Sequence, residues 1–339
     1  MIKKECFTAE WIEQVSSELH YNDKNLIEKV IRALSLLEML VKAGCPLVFK
    51  GGTALMLILG KSAHRLSIDI DLICPPGTNI EDYLKSFADF GFINLELVER
   101  KQRDDADIPK SHSKFFYQIA YRNDTDAQSY ILLDVLYEDI HYFRTQQIAI
   151  NCPFIRLEGK PLMVTVPSAE DILGDKLTAF APNTTGIPYY KNGRSCSMEI
   201  AKQLYDVGRL FENVSDLQIT KEAFRKIAVV ELSYRSFGTD IGQVFNDIRQ
   251  TALCISTRGK AGEGDFDLIQ DGIIRVKSFM YKQRYLIDHA IIDAARAAYL
   301  ATLIEKGINE IESYSNNPAD IKDMVIRPSL PNKLNKLRS

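Results

Sequence analysis

Two carboxylates interrupt an otherwise apolar run, Leu66-Ser67-Ile68-Asp69-Ile70-Asp71-Leu72. Few folds tolerate this, because a charge among apolar neighbours is costly unless something of opposite sign meets it. The run reads as a strand over 67–73, closed by Pro75-Pro76-Gly77. Alternation along a strand sends Asp69 and Asp71 to one face and Ile68, Ile70 and Leu72 to the other, toward a core. Like charges this close raise each other's proton affinity unless a cation sits between them. Mg²⁺ is one answer, since it takes one or two carboxylates together with substrate phosphates. An exposed polar face on an edge strand is the other.

Asp134 lies in a second apolar run, Ile131-Leu132-Leu133-Asp134-Val135-Leu136-Tyr137. Leu132 and Leu136 share its face, which points to a buried carboxylate that needs a partner. If this strand lies beside the first, Asp69, Asp71 and Asp134 converge. Such a set can hold two metal ions about 3.5–4 Å apart, which activate a hydroxyl and stabilise a leaving pyrophosphate. A salt bridge to an Arg is the alternative. Upstream, Val48-Phe49-Lys50-Gly51-Gly52-Thr53-Ala54-Leu55 reads as a short strand, a Gly-Gly turn and a helix over 53–59. Glycine lets the backbone turn sharply and bring its N–H groups close to a ligand. A helix N-terminus favours an anion there. Lys50 adds a charge to this cradle or is a surface residue. Metal acids beside a phosphate cradle fit a nucleoside triphosphate.

The rest of the chain supplies a scaffold of ordinary composition. Of its 339 residues 46% are hydrophobic and 26% charged, as in a globular domain. A formal net charge of −3 means that a nucleic-acid role requires a local basic patch. Cys6, Cys45, Cys74, Cys152, Cys196 and Cys254 are scattered without a C-x-x-C, which argues against zinc and fits reduced thiols in a cytoplasm. The first residues lack the apolar core of a signal peptide, and no run of about 18 apolar residues predicts a membrane span. Helices are expected over 8–19 and 24–43, the second started by Asn22-Asp23 and stopped by Gly44-Cys45-Pro46, and another over 79–90. Strands are expected over 92–100, 115–122 and 130–138, with an exposed loop at 101–113. Beyond Val166-Pro167 the chain turns helical: Ser168 caps a helix to about 180, followed by helices over 196–213, 220–231, 240–253, 266–279 and 284–312. The expected class is α+β, a mixed sheet with flanking helices over 1–166, a mainly helical domain over 167–315 and a poorly ordered tail over 316–339.

These residues resemble the nucleotidyltransferase superfamily related to DNA polymerase β. Its pattern is a Gly-[Gly/Ser] turn and helix, an acid-x-acid strand and a third acid on a later strand. The wording is similar to one branch, the AbiEii/AbiGii toxin family with its MenT-like members. Phe49-Lys50-Gly51-Gly52-Thr53-Ala54-Leu55 matches, and the R-x-S-x-D-[IL]-D-[LF] block is complete from Arg65 to Leu72. Lys176, in Asp171-Ile172-Leu173-Gly174-Asp175-Lys176-Leu177, takes the family's triphosphate-binding lysine position. Asp206, in Lys202-Gln203-Leu204-Tyr205-Asp206-Val207, matches the functional aspartate, while Gln203 stands where the family has another Asp. The resemblance covers roughly residues 30–215. Read without it, Lys176 is a solvated lysine, and Lys202 with Asp206 is a surface ion pair on one helix face.

The resemblance implies a toxin of a type IV-like toxin–antitoxin or phage-defence pair, with a cognate antitoxin as partner. It implies transfer of NMP from NTP to an acceptor hydroxyl, the tRNA 3′ end being the family's acceptor. Asp69, Asp71, Lys176 and Asp206 would be catalytic, with the helical domain completing the cleft. Lys50, Gly51, Gly52, Thr53, Arg65, Ser67 and Lys176 would bind nucleotide, and Asp69, Asp71 and Asp134 would hold Mg²⁺, with Mn²⁺ as the alternative ion. Ser67 shares the face of Asp69, so a phosphate there would add about two negative charges and switch the site off. Binding of tRNA would need one basic face and weaken with salt. Tyr189-Tyr190-Lys191-Asn192-Gly193-Arg194 mixes aromatics and cations that could stack on bases. Lys333, Lys336 and Arg338 form a smaller basic cluster, and no histidine shows metal-ligand spacing. A small-molecule nucleotidyltransferase and a non-catalytic interaction protein of the same fold are the competing classes. Labelled NTPs with total tRNA separate the toxin from the small-molecule enzyme, and the intact acids argue against the interaction protein.

Overall fold

In the computed structural model, which describes residues 1–98, 110–121, 127–214, 216–235, 238 and 240–312, the apolar spacing from Leu26 to Leu40 becomes a helix, α2 (Lys24–Lys42). Asp23 caps it by accepting from the Leu26 N–H, and Gly44 follows it at φ +75°. Helix α1 (Ala9–Glu18) precedes it. Ile27, Val30, Ile31, Leu34 and Leu37 are fully buried in the core beneath the sheet. One buried ion pair interrupts this face. Arg32 meets Glu28 at 3.2 Å and donates to the Gly91 carbonyl, while Glu28 accepts from the Ala120 N–H.

The central sheet has five strands in the order β1-β2-β5-β4-β3. These are β1 (Val48–Lys50), β2 (Ile70–Cys74), β3 (Asn94–Val98), β4 (Lys110–Gln118) and β5 (Gln128–Tyr137). Strands β2 and β5 run parallel, and the other neighbours are antiparallel. Helix α3 (Gly51–Leu59) follows β1 without a connecting loop. Ile131, Leu133 and Val135 of β5 face the core, as do Ser113, Phe115 and Tyr117 of β4. Their alternation leaves Leu132, Asp134, His112, Lys114 and Phe116 on the other face.

Several boundaries differ from expectation. Strand β4 begins at Lys110, so the expected loop ends inside a strand, while 101–109 lies outside the described residues. Its early polar residues alternate with buried ones, which conceals a strand whose second face is wet. The expected helix over 79–90 is two short 3-10 segments, Ile80–Tyr83 and Phe87–Phe90, which still bury Ile80, Leu84 and Phe90. A two-stranded sheet, β6 (Thr145–Ala149) with β7 (Met163–Pro167), was not expected, because β6 opens on three exposed polar residues.

By internal contacts the chain divides into two units, Met1–Ile172 with Val276–Arg284, and Leu173–Arg275 with Tyr285–Ser339. Helix α4 (Ala169–Ala179) starts in the first unit, where Ser168 Oγ accepts from the Asp171 N–H. The Asp171 carboxylate accepts in turn from the N–H groups of Phe143 and Arg144. The second unit also holds the hairpin β8 (Tyr190–Lys191) and β9 (Arg194–Ser195). Its helices are α5 (Ser197–Phe211), α6 (Leu217–Tyr234), α7 (Ile241–Ser256), α8 (Phe266–Val276) and α9 (Ile287–Lys306). Buried Ala290, Ala294, Ala297 and Ala301 give α9 a flat face, and both α5 and α7 pack on α9. The expected tail over 316–339 lies outside the described residues. Among the described residues no helix is long and apolar enough to cross a membrane.

Leu34 is fully buried on α2. Leu34→Ala is expected to destabilise the first unit by about 2–5 kcal/mol, read as a lower denaturation midpoint in urea. An unchanged midpoint would show that α2 is not part of its core.

Candidate active site

Strand register gathers the charged residues into a row. Lys50 pairs with Asp71 across β1 and β2, Asp71 with Asp134 across β2 and β5, and Asp134 with His112 across β5 and β4. Paired residues on neighbouring strands present their side chains to the same face. Four adjacent strands therefore contribute one cation, two carboxylates and one imidazole in sequence. Ile70 and Leu72 are buried on the opposite side, as alternation requires. Asp69 sits just before β2, so the loop entering the strand carries it.

The Gly-Gly turn is built against this row. Gly51 has φ +77°, and a Cβ there would stand 2.0 Å from Asp71 Oδ2. Only glycine fits on both counts: the left-handed backbone and the carboxylate packed on its Cα. At Gly52 an added Cβ would meet Ser67 Oγ at 2.7 Å and Arg65 Nη2 at 3.0 Å. Ser67 and the buried Arg65 thus lie under the first turn of α3. Arg65 also donates to the Leu66 carbonyl at 2.9 Å and bridges in β fashion to Met280 of the same unit. Thr53 is fully buried, and its hydroxyl donates to the Asp69 carbonyl at 2.7 Å. That makes the Thr53 hydroxyl a fastener between α3 and the acidic loop.

Asp134 also differs from expectation. Its side chain is 39% exposed, and its partner is His112 Nδ1, not an Arg. Leu132 and Leu136 flank it but are themselves only half-buried, so an apolar spelling did not mean burial here. Nor do the three acids close into a cage: among the described residues no three His, Cys, Asp or Glu side chains are gathered closely enough to enclose a metal. The pairing of Asp71 with Asp134 still suits an ion of the Mg²⁺ type, which draws most of its oxygen ligands from phosphates and water. His112 was given no role because it has no metal-ligand spacing and falls in the expected loop. Continuing the alternation of Ser113, Phe115 and Tyr117 backwards would have put it on the face of Asp134. Its Nε2 is buried and makes no hydrogen bond among the described residues. Lys29 of α2 was also missed, since nothing in its local spelling separates it from a surface lysine. Burial lowers its pKa, and the Asp69 carboxylate opposes that shift.

The second unit carries the remaining expected residues. Lys176 on α4 is buried, not solvated, and its Nζ lies 3.2 Å from Asp206 Oδ2 on α5. Lys176 also donates to Gln203 Oε1 at 2.9 Å. Gln203 therefore remains a partner of the lysine as a neutral acceptor. The Tyr189–Arg194 stretch, numbered 189–194, is the β8–β9 hairpin, whose turn uses positive φ at Asn192 and Gly193. Tyr190 is exposed, while burial raises the pKa of Tyr189 to about 12. In the first unit, His64 Nδ1 pairs with Gln283 Oε1 at 3.1 Å. All six cysteines are free thiols.

Residues 34–305 match the family described as nucleotidyl transferase AbiEii toxin of type IV toxin–antitoxin systems. No curated protein matches the chain significantly. Among solved structures, JHP933 from Helicobacter pylori is similar at 15% identity and a TM-score of 0.41, covering 100% of this chain and 100% of that one. The nucleotidyltransferase toxin MenT4 from Mycobacterium tuberculosis is similar at 14% identity and a TM-score of 0.45, covering 87% of this chain and 89% of that one. The family match spans most of the chain, including the Gly-Gly turn, the acidic strands and the Lys176–Asp206 pair: the protein belongs to the AbiEii nucleotidyltransferase toxins of type IV toxin–antitoxin systems.

Proposed function

We propose that this toxin transfers NMP from an NTP to the 3′-terminal hydroxyl of a tRNA in a reaction that depends on a divalent metal. The observation that carries the reading is the seating of Asp71 against Gly51, in register with Lys50 on one side and Asp134 on the other. Phosphate cradle and metal carboxylates are thereby neighbours within one unit.

The backbone N–H groups of Gly51 and Gly52, at the start of α3, donate to the phosphates, helped by the helix dipole. Lys50 adds positive charge, and the buried Arg65 supports the turn from below. Asp71 and Asp134 would hold Mg²⁺ or Mn²⁺, with Asp69 of the adjoining loop adding negative charge beside them. A bound ion supplies neutralisation of the triphosphate and a lower pKa for the attacking hydroxyl. The acceptor oxygen forms its bond to the α-phosphorus as the bond to pyrophosphate breaks. The chain's work is positioning and charge balance. Family resemblance assigns Lys176 to the triphosphate, and the Asp206 carboxylate and Gln203 amide fix the position of its ammonium group. The partner implied by the family is a cognate antitoxin.

Incubation with each labelled NTP and total RNA tests the reading. Label is expected on tRNA 3′ ends, lost on chelation and reduced at least about 100-fold by Asp69→Asn. Label confined to small molecules, or transfer that survives Asp69→Asn, contradicts it. Gly51→Ala is expected to lose activity comparably while keeping its circular dichroism spectrum, because the new methyl must displace the Asp71 carboxylate. Ser67→Glu sets a negative charge beneath the phosphate cradle and should cut transfer at least tenfold, whereas Ser67→Ala retains it. Full activity in the Glu variant would exclude Ser67 as a point of electrostatic control.

A further inference from the structure

The face of the sheet that carries Asp134 also carries an aromatic pair flanked by lysines, to which the chemistry above gives no role. Tyr130 lies two alternations before Asp134 on β5, about 13 Å along the strand, and the residue is 40% exposed. Phe116 pairs with it across β4, with ring centroids 5.7 Å apart. Lys29 Nζ lies 5.5 Å from the Tyr130 ring centroid and Lys114 Nζ 5.6 Å from it. Lys114 is also held by Glu96 on β3 at 3.2 Å. The aromatic pair lies on the same sheet face as the acidic row: Tyr130 shares β5 with Asp134, and Phe116 shares β4 with His112.

An exposed aromatic ring between cations is the arrangement that binds single-stranded nucleic acid: bases stack on the ring and phosphates meet the charges. Its place in the sheet selects which nucleotide it serves. In the strand order β1-β2-β5-β4-β3, the phosphate cradle belongs to β1 and the aromatic pair to β5 and β4. The acids of β2 and β5 lie between. In phosphoryl transfer the attacking and leaving oxygens lie roughly in line across the reacting phosphorus. With the leaving pyrophosphate on the β1 side, the acceptor enters from the β4 side. We propose that Tyr130 and Phe116, with Lys29 and Lys114, form a stacking platform for the unpaired 3′ nucleotides of the RNA acceptor. The proposal rests on the nucleotidyltransferase reading above.

The platform can be tested apart from the chemistry, by fluorescence anisotropy with a short labelled single-stranded RNA. Tyr130→Ala should weaken binding about tenfold, since stacking on one ring is worth about 1–3 kcal/mol, and Tyr130→Phe should restore it. Lys114→Ala should make the slope of log K against log salt concentration shallower by about 0.7. Mn²⁺-ATP binding, read by calorimetry, should be unchanged in all three variants, with melting temperatures near that of the parent. Oligonucleotide binding equal to the parent in Tyr130→Ala overturns the platform. So does an equal loss of ATP binding, which would assign the ring to the base of the NTP. Tyr130-dependent RNA binding without any nucleotide transfer would support the platform and contradict the proposed reaction instead.

Discussion

The contact between the Asp71 carboxylate and the Cα of Gly51 organises the candidate active site. It brings a residue of β2 against the turn that opens α3, so that metal-type oxygen donors and phosphate-type N–H donors become immediate neighbours. The contact leaves no room for a side chain at Gly51. Thr53 ties the same turn to the Asp69 carbonyl, and Arg65 with Ser67 fills the space beneath Gly52. A short strand, a glycine turn and an acidic loop thus form one closely packed corner.

Around that corner the sheet does the positioning. Parallel pairing of β2 with β5 sets Asp134 level with Asp71, and antiparallel pairing with β4 adds His112. Register is what makes this possible, because a slip of one residue would turn every member of the row to the buried face. The apolar residues between them, Ile70, Leu72, Leu133 and Val135, lock the register by packing on α2 and its neighbours. Charge is handled in two ways, at the acidic row and at the Lys176–Asp206 pair. In the first, the acids lie on a half-open face. In the second, Lys176 and Asp206 are buried together, where each supplies the counter-charge the other requires.

Much of this was legible from residue order. The Gly-Gly turn, the alternating acids, the caps at Asp23 and Ser168 and the helical second half all have local causes, and local causes are written in the sequence. What was not legible depends on pairing. Asp134 looked buried because Leu132 and Leu136 flank it, yet that face of β5 is only half covered. His112 sits in a polar stretch whose strand character comes from the neighbours it joins. Thr53 read as a ligand contact, and the partner of its hydroxyl, the Asp69 carbonyl, is a tertiary neighbour. Lys176 read alone as a solvated lysine, and only the fold brings it to Asp206 and Gln203. The 3-10 segments near Ile80 and Phe90 and the polar strand β6 show the same limit on the scaffold.

Because Asp71 joins the Gly-Gly turn to the acidic row, metal binding in the presence of nucleotide tests the proposed site most directly. Electron paramagnetic resonance of Mn²⁺ with a non-hydrolysable NTP analogue should show an ion bound by the parent protein. In Asp71→Asn, folded to the same extent, the affinity of that complex should fall at least about tenfold. Equal Mn²⁺ and nucleotide affinity in the two proteins would contradict the assignment of this corner as the place where metal and triphosphate meet.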